Sequence, residues 1–235
     1  MKKISLVFGL LVVLCTYSKA QDTCTPKRIF EYTDESKKTI IIKELLVYSK
    51  QEKKYLPFAY AANLFLKTPA QGGPALGIRF FNFACIKTRK NGKLFWKGQV
   101  CMDSKQHAIF KTPVMGIRGF IELAITYIDG SYNTLYKFFN RYAPADDCIG
   151  SVKKILVNGK WVCPECCPNN QPEKYAERVA KGIGIGINDP VKIRDGDGNL
   201  SAKLFALLLA EVVKFEIGLD CKFEEEIIKQ AIAEL

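Results

Sequence analysis

The sequence predicts an α+β, mainly helical fold that carries an inserted Cys-rich β-hairpin and an extra N-terminal region. Three features lead there. From residue 75 onward, apolar residues recur at spacings of three and four, the period of a helix with one buried face. Residues 151–162 break that pattern with two short apolar runs joined by Asn158-Gly159, the strongest two-residue hairpin signal. Between 69 and 74 a Pro/Gly-rich stretch, PAQGGP, sets the first third of the chain apart. Apolar content of 48% can supply a real core, and charged content of 25% is ordinary for a folded chain.

The chain opens with Lys2 and Lys3, an apolar run over 4–15, and small residues at Ser18 and Ala20. This is the pattern of a signal peptide over residues 1–20, so the protein is expected to be exported, to a periplasm or beyond the cell. The run is too short for a comfortable membrane span, and no transmembrane anchor is expected. Lipid attachment at Cys15 is the competing reading, and Val13-Leu14 lacks the small residues usual before such a cysteine.

Residues 21–74 form an N-terminal region whose role is not legible beyond a docking surface for a protein partner. Within it, TIIIKELLVY over 39–48 reads as strand by its three isoleucines, while its length and Lys43-Glu44 tolerate helix. The Ala-rich run FAYAANLFLK over 58–67 reads as a buried helix, followed by the 69–74 linker.

The main domain is expected over 75–235. Ile117, Phe120, Ile121, Ala124, Ile125 and Ile128 form a helical stripe over 115–129, and Asp129-Gly130-Ser131 ends it and starts a second helix with Leu135, Phe138, Phe139 and Tyr142. A third runs over 172–182 with Pro172 in its first turn. A fourth, over 200–217, is capped by Asn199 or Ser201 and stopped by Gly218. A fifth, over 223–233, begins acidic at Glu224, Glu225 and Glu226, which suits the helix dipole. The hairpin insertion occupies 146–171, between the second and third helices.

Removal of residues 1–20 would leave eight cysteines and lower the formal net charge from +11 to +8. An even cysteine count in an exported chain predicts disulfides, with Cys148 bridged to Cys163, Cys166 or Cys167 across the hairpin. Adjacent Cys166 and Cys167 are expected to take different partners. A four-thiolate zinc site is the alternative, but only one C-x-x-C is present where a zinc ribbon needs two. No cofactor or metal is expected. The positive charge favours anionic wall polymers or lipid headgroups over nucleic acid, which an exported protein does not meet.

Other motifs read as structural. His107 is the only histidine and reads as part of a surface loop entering a strand. The repeated glycines of 181–188 follow a helix rather than a strand, so no dinucleotide loop is expected. Asp195-Gly196-Asp197-Gly198-Asn199 resembles the start of a calcium loop, yet Leu200 and Ala206 stand where Gly and Glu would be needed. It reads as a turn. Glu216 ends a long apolar helix between Phe215 and Ile217, where partial desolvation would raise its pKa and suit a general acid. Glu211, on the same helix, competes for that role.

Residues 93–144 order these pieces in a particular way. KLFWKGQV gives a Trp96-Lys97-Gly98 turn, Phe110 follows, Gly116-Ile117-Arg118 opens a helix, and Arg141-Tyr142-Ala143-Pro144 ends the next. The order resembles the lysozyme-like, peptidoglycan-cleaving proteins of bacteria and their phages, the virion-associated lytic type in particular. More distantly it resembles the flagellar-type glucosaminidases. The resemblance spans about 75–218, less the hairpin. It implies a lysozyme-like domain, a substrate in peptidoglycan, and cleavage of the glycan strand by a muramidase- or glucosaminidase-like hydrolase or a lytic transglycosylase.

In that family a Glu followed by Asn-Gly ends the corresponding helix, and here the residues are Glu216-Ile217-Gly218. The resemblance therefore makes Glu216 the candidate catalytic acid. It makes Arg79, Asn82, Trp96, Arg118 and Tyr142 candidate substrate-binding or scaffold positions. After Gly77-Ile78-Arg79 the family carries Asn-Asn-Asn-Pro-Gly-Asn-Ile, whereas this chain has Phe80-Phe81-Asn82-Phe83-Ala84-Cys85-Ile86. The three phenylalanines either stack on sugars or pack inside. Loss of the amides opens the alternative of a catalytically inactive wall-binding or protein-interaction module.

Overall fold

The computed structural model describes residues 39–61, 75–88, 94–149 and 152–235. The expected signal peptide and the 69–74 linker lie outside them. Among the described residues the chain is a mixed α/β structure of six helices and small antiparallel sheets. No helix there is long and apolar enough to cross a membrane.

The first hairpin joins β1 (Thr39–Ser49) to β2 (Lys54–Ala61), and β1 also pairs antiparallel with β7 (Cys221–Phe223). The ambiguous 39–48 segment is thus a strand. Its register shifts between Ile42 and Leu46, and the three residues of β1 without a partner in β2 there let Ile42 and Leu45 both reach the core although strict alternation would part them. The helix expected over 58–67 is corrected in its first part: Phe58–Ala61 belongs to β2, where pairing with β1 overrides the Ala-rich composition. Its remainder lies outside the described residues.

A short helix α1 (Leu76–Arg79) leads into an irregular loop that straddles the pair β3 (Gln99–Met102) and β4 (Ala108–Phe110). Backbone bonds from Phe110 N to Phe80 O and from Ala108 N to Ile86 O, both 2.9 Å, tie the loop to β4. Helix α2 (Pro113–Ile128) follows, with the Thr112 hydroxyl accepting from Met115 N at 3.3 Å. Gly116 sits where any Cβ would come within 1.5 Å of the Phe81 carbonyl oxygen, so only glycine lets the loop rest on the helix.

Helix α3 (Leu135–Tyr142) is capped by Thr134, so the second helix begins four residues beyond the Ser131 start expected from sequence. Helix α4 (Pro172–Ile183) carries Pro172 at its first turn, and α5 (Ala202–Glu216) is capped by Ser201, which accepts from Leu204 N at 3.2 Å. Phe205, Leu208, Leu209, Val212 and Val213 give α5 a buried face, packed against α4, β7 and α6 (Glu225–Ala233). The fifth helix therefore starts later than expected, because Cys221–Phe223 is spent on strand pairing.

The inserted hairpin is β5 (Ile155–Val157) and β6 (Lys160–Val162), turning through Asn158 (φ 50°) and Gly159 (φ 76°). Cys148 and Cys163 form a disulfide with Cα atoms 5.5 Å apart, closing the hairpin base. Cys101 is disulfide-bonded too. The expectation that Cys166 and Cys167 would find separate partners is corrected. Both are thiols, with sulfurs 2.7 Å apart, and Cys85 and Cys221 are thiols as well. Asp195 Oδ1 accepts the amides of Asp197 and Asn199 at 3.0 and 2.9 Å, the internal bonding of a turn.

Candidate active site

Glu216 is the last residue of α5, and it lines a cleft of about 1320 Å³. The helix end places it there: Val213 O still accepts Ile217 N, and Gly218 at φ 78° turns the chain away. Solvent reaches Glu216 along the cleft, yet protein surrounds it densely, and that burial pushes its pKa up. Opposing the shift are a hydrogen bond from Tyr175 and the positive fields of His107 and Lys87. The burial prevails.

Tyr175, on α4, donates its hydroxyl to Glu216 Oε1 at 3.0 Å. Its ring is stacked between Phe139 (centroids 4.1 Å, 18° between planes) and Phe215 (3.7 Å, 15°). Flanked on both faces, the phenol has little freedom to swing, so the carboxyl is held by a fixed donor. Tyr142, at the end of α3, also reaches the cleft and donates to the Ala84 carbonyl. Burial raises both tyrosine pKa values well above the ordinary range, with the Glu216 charge adding to each.

Asp103, His107 and Cys85 come from the loops beside β4. His107 Nδ1 lies 2.9 Å from Asp103 Oδ2, and the ring lines the cleft. Burial works against ionisation of Asp103, but its bonds and charge pairing with His107 outweigh that and lower its pKa. Cys85, also in the cleft lining, has its thiol pKa raised by burial and by the nearby Glu216 and Asp103 carboxylates. Glu122, Asp146 and Asp147 line the cleft too, and Glu122 is occupied by Arg118 Nη1 at 2.6 Å.

No family model matches the chain, and no curated protein matches it.

The structure gathers Glu216, Trp96 and Tyr142 at one cleft. Trp96 shows only an edge, because its ring is mostly buried and Nε1 bonds the Lys87 carbonyl at 3.1 Å. The other expected substrate contacts turn inward. Asn82 is buried, its amide donates to Ile86 O and Ala108 O, and its oxygen accepts Ile86 N, all at 2.8 Å. Arg79 is buried with its guanidinium 5.5 Å from the Phe80 ring, and burial lowers its pKa. Arg118 ties α2 to the chain end by bonding Glu234 O at 2.9 Å. These three hold the scaffold.

Phe80, Phe81 and Phe83 are likewise buried, so they pack and do not offer stacking faces. Glu211 lies against Gly182 of α4, outside the cleft lining. No local signal in the sequence marks Tyr175 or Asp103 as site residues, Cys85 shows there only as part of the altered loop, and His107 reads as part of a surface loop entering a strand. Tyr175 falls within the helix expected over 172–182, and nothing in its local sequence marks it as a donor to a carboxyl 41 residues away.

Proposed function

We propose that the protein is a peptidoglycan-acting enzyme of lysozyme-like fold that cleaves the glycan strand, with Glu216 as general acid. The observation that carries this is Glu216 itself, a carboxyl at a helix end in an extended cleft, with its pKa raised by burial and its position fixed by Tyr175. A carboxyl with a raised pKa holds its proton to higher pH than an ordinary one, and can give it to the glycosidic oxygen as the C–O bond breaks. Water then attacks the oxocarbenium-like carbon, and its proton returns to Glu216. No metal or cofactor enters this scheme.

A second observation supports the fold resemblance. Phe81 and Cys85 both have φ 51°, a left-handed conformation that costs most residues and suits Asn. Both stand where the resembling family carries Asn in its loop. The backbone there has a shape that Asn would fit better than Phe or Cys.

One observation favours the alternative of an inactive wall-binding module. The loop at 80–86 offers the cleft little beyond Cys85 and Ile86, because Asn82 is fully engaged and the phenylalanines are internal. Incubation with purified murein separates the readings. Soluble muropeptides with a reducing end indicate hydrolysis, and those with an anhydro end indicate transglycosylation. Sedimentation with murein without release indicates the binding module.

A further inference from the structure

We propose that the β5–β6 hairpin is a membrane-surface anchor that seats in the headgroup layer of an anionic phospholipid bilayer. Its pairs are Ile155 with Val162, Leu156 with Trp161 and Val157 with Lys160. Side chains alternate along each strand, so Ile155, Val157 and Val162 share one face while Leu156 and Trp161 share the other. All five are exposed, Trp161 to 67% and Leu156 to 58%. A sheet of a folded domain normally turns one apolar face inward. This one turns neither.

Apolarity on both faces decides between occupants. A flat protein partner covers one face and leaves the other in water, whereas the disordered headgroup and upper acyl region surrounds an inserted hairpin on both sides. Trp is the residue most at home in that layer. Lys153, Lys154 and Lys160 flank the apolar residues, and no acidic residue occurs between 152 and 162. Their charges suit anionic headgroups, and their long stems let the ammonium groups stay in the polar layer. A two-stranded hairpin away from a core is marginal by itself, and the Cys148–Cys163 disulfide at its base supplies the missing constraint. The inference rests on the hairpin alone and is independent of the chemistry at Glu216.

The test is co-flotation of the disulfide-bonded protein, without residues 1–20, with vesicles of phosphatidylglycerol and phosphatidylcholine, against phosphatidylcholine alone. Binding is expected to the anionic vesicles and to weaken with salt. Leu156→Ser with Trp161→Ser should lower the partition about tenfold or more, and replacing Lys153, Lys154 and Lys160 by Gln should lower it about fivefold per lysine. These side chains lie outside the core, so circular dichroism and the Cys148–Cys163 bridge should be unchanged. Absence of vesicle binding by the wild type, or equal binding by the Ser variant, overturns the anchor. Self-association lost in the Ser variant, without vesicle binding, also overturns it and assigns the hairpin to a second copy of the chain.

Discussion

Tyr175 and Glu216 are 41 residues apart in sequence, and the hydroxyl of one lies 3.0 Å from the carboxyl oxygen of the other. The contact joins α4 to the end of α5, and the stacking of Phe139 and Phe215 on the phenol makes it a fixed one. A donor to the ionised carboxylate lowers its pKa, so this bond works against the burial that raises it.

Removing that donor should therefore raise the Glu216 pKa further. A general acid loses activity as pH rises through its pKa. Tyr175→Phe should shift the descending, alkaline limb of the pH–rate profile to higher pH. An unmoved limb would mean that the bond does not tune the acid.

Glu216 should also cost the fold stability near neutral pH. Its folded pKa lies above the unfolded one, so the folded state binds the proton more tightly. Stability then falls as pH rises through the window between the two values, and no cost remains below the unfolded pKa. Glu216→Gln should melt above the wild type at about pH 7 and level with it at about pH 3. Thermal melts at both pH values check this.

Gly116→Ala should destabilise strongly, by about 3 kcal/mol or more, since the new methyl would overlap the Phe81 carbonyl oxygen. Denaturant titration gives the number. The same melt should show whether the loop at 80–86 and α2 unfold together.

Thiol labelling of the native protein should separate the cysteines by environment. Cys221 is buried and its pKa is pushed up to about 12, so little thiolate forms near neutrality. Cys166, exposed on the hairpin insertion, should react first with iodoacetamide, and Cys148 and Cys163 should be recovered as a bridged peptide. Mass spectrometry with and without denaturant reads all of these.

Much of the helical body was legible because periodicity is a local signal. The stripe from Ile117 to Ile128 and the apolar α5 needed no tertiary information, and Asn158-Gly159 fixed the inserted hairpin. Where pairing partners decide, local reading failed. Cys221–Phe223 is too short to announce a strand, and Phe58–Ala61 reads as helix until β1 is beside it. The same holds for the site. Glu216 stood out through its apolar neighbours, but Tyr175 meets Glu216, and His107 meets the cleft, only through chain crossings that spacing does not encode. For Asn82 the resemblance left substrate-binding and scaffold roles open, and only contacts across the fold choose between them: here its side chain clamps the backbone.

The most direct test compares muropeptide release from purified murein by wild type, Glu216→Gln and Glu211→Gln. Glu216 ends α5 in the cleft, and Glu211 lies on the same helix against Gly182, so the second variant controls for a charge lost from that helix. Release is expected from wild type, near-normal release from Glu211→Gln, and a loss of about 10²–10⁴-fold in Glu216→Gln with the fold retained. Release by Glu216→Gln at the wild-type rate would contradict the role of Glu216 as general acid.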